Sequence, residues 1–569
     1  MGSLCLRTAL SGYSYSCTTY RAICCHQLCA GCGLRLHWDE SCLRQNSFDG
    51  LVDGPVGLRK IMDSLYITTP IYYVNDRPHL GHAYASIHAD VLARYSRLAG
   101  RDVFFLTGAD EHGEKIAKAA AANGEGIQDF VDRNADLFMA AWGQLGVEPT
   151  QFVRTTLASH KRYVSTALAL LYERGDIYQA EYEGLYSVGQ ERFVTEKELV
   201  GGKLPEDKEP PELRREVNYF FRMEKYRGWV KDFIESNPGV IQPDNYAKEM
   251  LVLLEEPIGD LSISRPKSRL SWGIPLPWDR DHVTYVWFDA LLSYVSPLAA
   301  QADSFERYWP SVRHIIGKDI LRPHTLFWLA MCKALELSPY RKLYVSGHLL
   351  GSDGYKMSKS LKNGVDPLVA ANKYTADVLR YVLVREIPFG VDGIISDNVI
   401  ENRLDKDLAN DLGNLVSRTL TMIGLYCDFV VPTSRAHGAD EEGLIEQSRQ
   451  LQESIMGWVD DMKIRLATEN IMAFVRELNR YVSARTPWKL AKDASKRDEL
   501  NAVLQTLHEG LVLVSTLLSP VMPEKMRALR KALGVAGQPE SLNERWQFDR
   551  GACVTREPFI LFAKVANEG

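Results

Sequence analysis

A strand that runs into a helix through a short histidine-flanked turn limits what this chain can become more than any other feature. Leu65-Tyr66-Ile67-Thr68 reads as a buried strand; after Pro78-His79-Leu80-Gly81-His82, the apolar residues Leu80, Tyr84, Ile87, Val91, Tyr95 and Leu98 recur at helical spacing. Gly100 ends that helix. A strand, a glycine-containing turn and a helix N-terminus leave orphan backbone N–H groups and a partial positive charge at one point, which suits a phosphate. His79 and His82 add donors there, and Gly81 lets the backbone approach a ligand.

A second phrase, Lys356-Met357-Ser358-Lys359-Ser360, follows a glycine-rich loop at 351–355 and supplies two cations. Each phrase alone is a weak signal. His79 and His82 also read as helix-capping or solvent-facing residues, and Lys356 and Lys359 as a solvated charge run. Between the phrases the pattern alternates strands with helices. Residues 64–171 include a second apolar strand at 101–107, and a second half starting near His282 has strands at 283–288, 314–316 and 342–345 with a helix at 321–335. The expected fold class is α/β: a parallel, Rossmann-type sheet with crossover helices that holds its ligand at the carboxyl ends of the strands.

The domain reading follows from these breaks. Residues 1–60 form a leader, 61–173 the first half of the nucleotide-binding domain, and 174–281 a connective insertion with short β pieces and a polar, Pro-rich loop at 201–215. Residues 282–350 form the second half, 351–398 a cationic loop and linking region, and 399–569 a helical bundle. In that tail Leu404, Leu408, Leu412, Leu415 and Ile423 share a face, and further helices are expected at 443–465, 467–484, 497–518 and 523–533.

Seven of ten cysteines lie at or before Cys42, and none occurs between 43 and 331. Residues 1–38 carry Arg7, Arg21 and Arg35, many Ser and Thr and no acidic residue, the composition of an organellar transit peptide. A zinc knuckle on Cys29 and Cys32 with Cys24 or Cys25 is the sharper alternative, but no second ligand pair follows at suitable spacing. Loss of residues 1–38 moves the formal charge from −6 to −9, so any RNA contact must come from local patches. No apolar run reaches transmembrane length, and no membrane partner is expected.

The two phrases resemble the HIGH and KMSKS signatures of class I aminoacyl-tRNA synthetases. Between and beyond them, Leu106-Thr107-Gly108-Ala109-Asp110-Glu111-His112-Gly113, Tyr285-Val286-Trp287-Phe288-Asp289-Ala290, Ile316-Gly317-Lys318-Asp319-Ile320 and Asp411-Leu412-Gly413-Asn414-Leu415 resemble stretches of the methionyl branch, from about Ser64 to the C-terminus. The resemblance implies an enzyme that activates methionine with ATP and Mg²⁺ and passes it to tRNA(Met), with a mitochondrial matrix setting suggested by the leader. A monomer is expected, because the chain stops soon after the helical tail.

By the same resemblance His79, His82, Lys356 and Lys359 carry the catalysis. Gly81, Gly317, Lys318, Asp319, Met357, Ser358 and Ser360 bind the nucleotide, with Asp319 on the ribose. Methionine is surrounded by Ile71, Tyr73, Trp287, Ala290, Leu291, Tyr294, Ile320 and His324, with Asp110 on its α-ammonium. An unbranched thioether suits such a flexible aromatic slot, although homocysteine, one methylene shorter, is expected to compete. Asn414, Arg418 and Trp488 meet the anticodon, and Lys489, Lys492 and Lys496 track the phosphate backbone. Core packing is the competing reading for Trp287, Tyr294, Ile320 and Trp488, and a helix N-cap for Asp110. The family's cysteine-bearing insertion phrase is matched by Tyr186-Ser187-Val188-Gly189-Gln190-Glu191, so no thiolate zinc is expected there. Another class I ligase, or a catalytically silent RNA-binding relative, remains an alternative at this point.

Overall fold

The computed structural model describes residues 64–187, 192–194, 196, 199–204, 209–357, 363–434, 437–535, 538–548 and 551–563. The expected leader at 1–60, the site residues Ser358, Lys359 and Ser360, and positions 188–191 of the insertion phrase lie outside them.

The strands up to residue 346, in chain order, are β1 (Ser64–Tyr73), β2 (Asp102–Asp110), β3 (Gln151–Arg154), β4 (Ile177–Ser187), β5 (Arg192–Val194), β6 (Glu212–Phe221), β7 (Ile241–Gln242), β8 (Leu261–Ser262), β9 (Ser264–Pro266), β10 (His282–Thr284), β11 (Arg313–Gly317) and β12 (Lys342–Ser346). Six of them form one sheet in the order β3-β2-β1-β11-β12-β7, and every pairing is parallel. Successive residues of β1 serve different cores: Leu65 and Ile67 face one, Tyr66 the other. Both faces must therefore be covered, as a parallel sheet requires. Strand order reverses beside β1, where β2 lies on one side and β11 on the other, so the crevice for a ligand opens there. The β1–β2 register slips between Thr68 and Ile71, and this irregularity re-aims the last residues of β1.

Helix α1 (Leu80–Leu98) follows the first turn, with Gly100 beyond it at a left-handed φ of 83°, and α2 (Glu114–Asn123) follows β2. Residues 283–288, expected as a strand of this sheet, are not one. His282–Thr284 pairs with β9 in a two-stranded ribbon and the chain then turns into α3 (Val286–Leu292). Tyr285, Val286, Phe288 and Leu291 all reach the core, which a helix achieves in this short space and an alternating strand does not.

The insertion also needs correction. Its antiparallel sheet has the order β5-β4-β6-β8, but residues 223–254 return to the nucleotide-binding body. β7 pairs with β12, and Val230, Ile234, Tyr246 and Met250 join the core that includes Tyr66 and Ile316.

The linking region carries α4 (Ala376–Glu386), and the tail is helical as expected: α5 (Asn414–Cys427), α6 (Ala439–Asp460), α7 (Ile464–Arg485) and α8 (Arg497–Leu518). The break between α6 and α7 falls a few residues before its expected place, at Met462, whose φ of 56° interrupts the helix. Leu404, Leu408 and Leu412, spaced four apart, are all buried along Leu404–Gly413, which is wound as a π-helix. The tail shares a core with α1. Arg380 on α4, fully buried, rivets the two: it donates to Asp90 Oδ2 at 2.6 Å, to Gly146 O at 3.0 Å, and to Pro520 O and Val521 O at 2.9 Å each.

Candidate active site

A cavity of about 670 Å³ opens at the carboxyl ends of β1, β2, β11 and β12. Its wall brings together His79, Gly81, His82, Gly317, Asp319, Lys356 and Met357 from the expected nucleotide set, and Ile71, Tyr73, Asp110, Trp287, Ala290, Leu291, Tyr294, Ile320 and His324 from the expected amino-acid set.

At the start of α1 the capping reading of the histidines and the ligand reading turn out to be compatible. His79 is the N-cap, and its Nδ1 accepts from Gly81 N at 3.1 Å. His82 Nδ1 accepts from His79 N at 3.3 Å, and the two rings stack with centroids 3.5 Å apart. A neutral imidazole that accepts at Nδ1 carries its proton on Nε2, so the cap fixes both rings as donors on their far side.

Gly317 ends β11, and a side chain there would meet Asp319 Oδ1 at 2.5 Å, so glycine lets the carboxylate fold back over the strand end. Lys318 does not join the cavity. Its Nζ lies 2.7 Å from both carboxylate oxygens of Asp392, a partly exposed pair. The same Asp392 accepts from His348 N at 2.8 Å.

Ser346, Gly347 and His348 also line the cavity and were absent from the sequence reading. The available signal was their position at the carboxyl end of β12, where Ser346 closes the strand and Gly347 and His348 follow it. A Cβ on Gly347 would lie 2.3 Å from the backbone of Val391, which explains glycine there. Burial, with Lys356 and Lys318 nearby, lowers the His348 pKa from its ordinary value.

The other end of the cavity is aromatic, and its Tyr294 and His324 are buried. Tyr294 OH donates to His324 Nε2 at 2.7 Å, while His324 Nδ1 donates to Ile320 O at 2.8 Å. These roles are fixed by protonation: burial pushes the Tyr294 hydroxyl far above its usual range and lowers His324 to about 4, so one is a phenol and the other a neutral ring. Trp287 stands edge-on to His324, centroids 6.1 Å apart.

Asp110, 5% exposed, sits at the end of β2 in a turn braced on several sides. Buried Glu111 accepts from Arg154 Nε at 2.5 Å and its N–H donates to Thr155 Oγ1 at 3.0 Å. His112 Nδ1 lies 2.6 Å from Asp289 Oδ2, and His160 Nε2 lies 2.6 Å from Asp289 Oδ1. Burial works to raise the Asp289 carboxyl, but the two histidines outweigh it and hold the pKa at about 2. The network joins the Asp110 turn to α3, which carries Trp287, Ala290 and Leu291.

In the tail, Arg418 lies over the Trp488 ring at 5.7 Å, Trp488 is 39% exposed, and Asn414 is exposed one turn before Arg418 on α5. The three expected anticodon residues therefore share one solvent-facing patch. Among the described residues, no three His, Cys, Asp or Glu side chains gather as a metal site.

The family described as class I tRNA synthetases (M) matches residues 65–210 and 206–420, and the anticodon binding domain of methionyl tRNA ligase matches residues 431–569. The methionine--tRNA ligase of Deinococcus radiodurans is 48% identical over 508 residues, covering 88% of this chain and 74% of its own. That of Caldanaerobacter subterraneus subsp. tengcongensis is 41% identical over 475 residues, covering 83% and 74%. The Mycobacterium tuberculosis methionyl-tRNA synthetase in complex with methionyl-adenylate superposes with a TM-score of 0.84 at 36% identity, over 88% of this chain and all of that one.

Proposed function

Because this chain belongs to the methionyl-tRNA synthetases of class I and is a methionine--tRNA ligase, we propose that it charges tRNA(Met) in the mitochondrial matrix and that its cavity divides the work between two ends. The observation that supports the division is the continuity of one cavity from the capped histidines of α1 to the Tyr294–His324 pair.

Methionine lies with its thioether among Ile71, Tyr73, Trp287, Ala290, Leu291, Tyr294, Ile320 and His324, and its α-ammonium against Asp110. ATP lies along Gly81, Gly317 and Asp319, with the ribose on Asp319. The methionine carboxylate attacks the α-phosphorus and pyrophosphate leaves, a displacement that needs positioning and charge neutralisation and no protein base. The Nε2–H groups of His79 and His82 meet triphosphate oxygens. Lys356, with Lys359 in the phrase that follows it, neutralises charge on the departing pyrophosphate. Mg²⁺ bound with ATP would be held mainly by phosphate and water oxygens and would add charge neutralisation there. The terminal ribose hydroxyl of the tRNA then attacks the methionyl carbonyl and AMP departs. Trp488 stacks an anticodon base, with Asn414 and Arg418 as hydrogen-bonding partners.

The mitochondrial setting rests on the acid-free, arginine-bearing residues 1–38. Tagged full-length chain is expected to co-fractionate with mitochondria and to lose its N-terminus there. Retention of the intact chain in the cytosol would remove that part of the proposal.

A further inference from the structure

The turn that carries Asp110 is held from outside the cavity by the loop joining β9 to β10. Trp272 Nε1 donates to Glu111 O at 2.5 Å, and Arg269 Nη2 donates to Glu114 Oε2, the first residue of α2, at 3.0 Å. The other arm of the same guanidinium reaches into the insertion sheet: Nη1 donates to Glu216 Oε1 and Oε2 on β6 at 2.6 and 2.8 Å. Its plane also covers the ring of Tyr186 on β4, 4.1 Å from the centroid. Arg269, Glu114 and Glu216 are 15%, 12% and 14% exposed, so these charges meet largely out of water. One residue past Glu114, Lys115 lies over the ring of Tyr73, a wall residue of the cavity, at 5.6 Å.

We propose that Arg269 is a positioning residue for amino-acid activation: it ties the insertion sheet to the 110–114 turn and so sets the distance between Asp110 and the aromatic slot. The inference rests on the assignment of Asp110 to the substrate ammonium. Arginine is required because the job has three parts, a stacked face and two hydrogen-bonded arms on different carboxylates, and an ammonium can do only one or two of them. A displacement of the insertion then reaches Asp110 through Glu114 and Glu111 and reaches Tyr73 through Lys115. The neighbouring Arg215–Glu181 pair on the same two strands points to solvent, 66% and 54% exposed, and touches none of this.

The test is ATP–pyrophosphate exchange by the full chain carrying Arg269→Met, Arg269→Lys, Asp110→Asn or Arg215→Met, with KM for methionine, KM for ATP, kcat and melting temperature measured for each. Arg269→Met is expected to raise KM for methionine about tenfold, the scale on which sub-ångström misplacement registers. Arg269→Lys should give a smaller rise in the same parameter and carries the test if the Met variant fails to fold. KM for ATP should stay within about twofold and Arg215→Met should match the parent. Glu114→Gln combined with Arg269→Met should be less than additive in KM for methionine. If both Arg269 variants alter melting alone while Asp110→Asn raises KM for methionine, Arg269 is only structural and the inference fails. If Asp110→Asn leaves KM for methionine unmoved, the ammonium assignment fails and takes the inference with it.

Discussion

Tyr294→Phe removes one atom from the aromatic end of the cavity and tests which substrate that end holds. The hydroxyl, on a side chain 2% exposed, is the donor to His324 Nε2, on a side chain 1% exposed. His324 Nδ1–H stays committed to Ile320 O, so Nε2 is left as a buried acceptor with no donor. Leaving such a group unpaired costs about 1–3 kcal/mol. The ring itself is kept, so little packing is lost. The neutral imidazole can relieve the loss only by turning into the slot it lines, at the expense of the thioether. If about 1.4 kcal/mol of that cost falls on substrate binding, KM for methionine rises about tenfold, while KM for ATP stays within about twofold. The assay is pyrophosphate exchange at varied methionine and then at varied ATP. Tyr66→Phe, which removes a hydrogen bond to the Tyr294 carbonyl from outside the cavity wall, is the control and should move neither constant. A rise in KM for ATP with methionine unaffected would refute the division of the cavity.

Three further outcomes follow from the structure. Trp488→Ala should raise KM for tRNA in charging by about 1–3 kcal/mol, roughly five- to a hundredfold, and leave pyrophosphate exchange unchanged; equal loss in both assays would remove Trp488 from the anticodon patch. Arg380→Met takes from the buried Asp90 carboxylate one of its two guanidinium partners, Arg94 being the other, and should cost about 1–3 kcal/mol, read as a lower urea midpoint; an unchanged midpoint would contradict the rivet. Burial holds His88 and His324 at about 4 and His314 well below its ordinary 6.5. Their contribution to stability is therefore complete above pH 6.5 and is lost as pH falls from there toward 4. Asp289, held at about 2, adds a second loss as pH falls from about 4 through 2. The urea midpoint should be flat from pH 8 to 7 and fall by pH 5, with about 2 kcal/mol lost per buried histidine; a midpoint that rises on acidification would contradict this.

The nucleotide end of the site was legible in the sequence because it is local. A strand, a Pro-His-x-Gly-His turn and an apolar helical stripe occupy contiguous residues, and the structure folds them as read. The amino-acid end was reached through resemblance, since Tyr294 and His324 lie 30 residues apart and nothing in their spacing announces the 2.7 Å bond between them. Asp289 shows the limit more plainly. Its partners His112 and His160 are 177 and 129 residues away, so only the assembled sheet brings them together.

Residues 283–288 read as one strand because Val-Thr-Tyr-Val-Trp-Phe has β-branched and aromatic character, but the strand stops at Thr284 and Val286–Phe288 open α3, which buries a helical face. The two-residue β7 is too short for any periodicity to reveal, and its place in the main sheet is set by pairing with β12. Lys318 shows the same limit: it lies between Gly317 and Asp319, which line the cavity, and its ammonium pairs with a carboxylate 74 residues on, a partner that no local motif reveals.

The central claim, that this cavity activates methionine, is tested most directly by ATP–pyrophosphate exchange on the full chain with each of the amino acids supplied in turn. The account predicts exchange that is strongest with methionine and lost on Asp110→Ala or on His79→Ala with His82→Ala. Exchange supported best by leucine, cysteine or any other amino acid, or exchange with methionine that survives those substitutions, would contradict it.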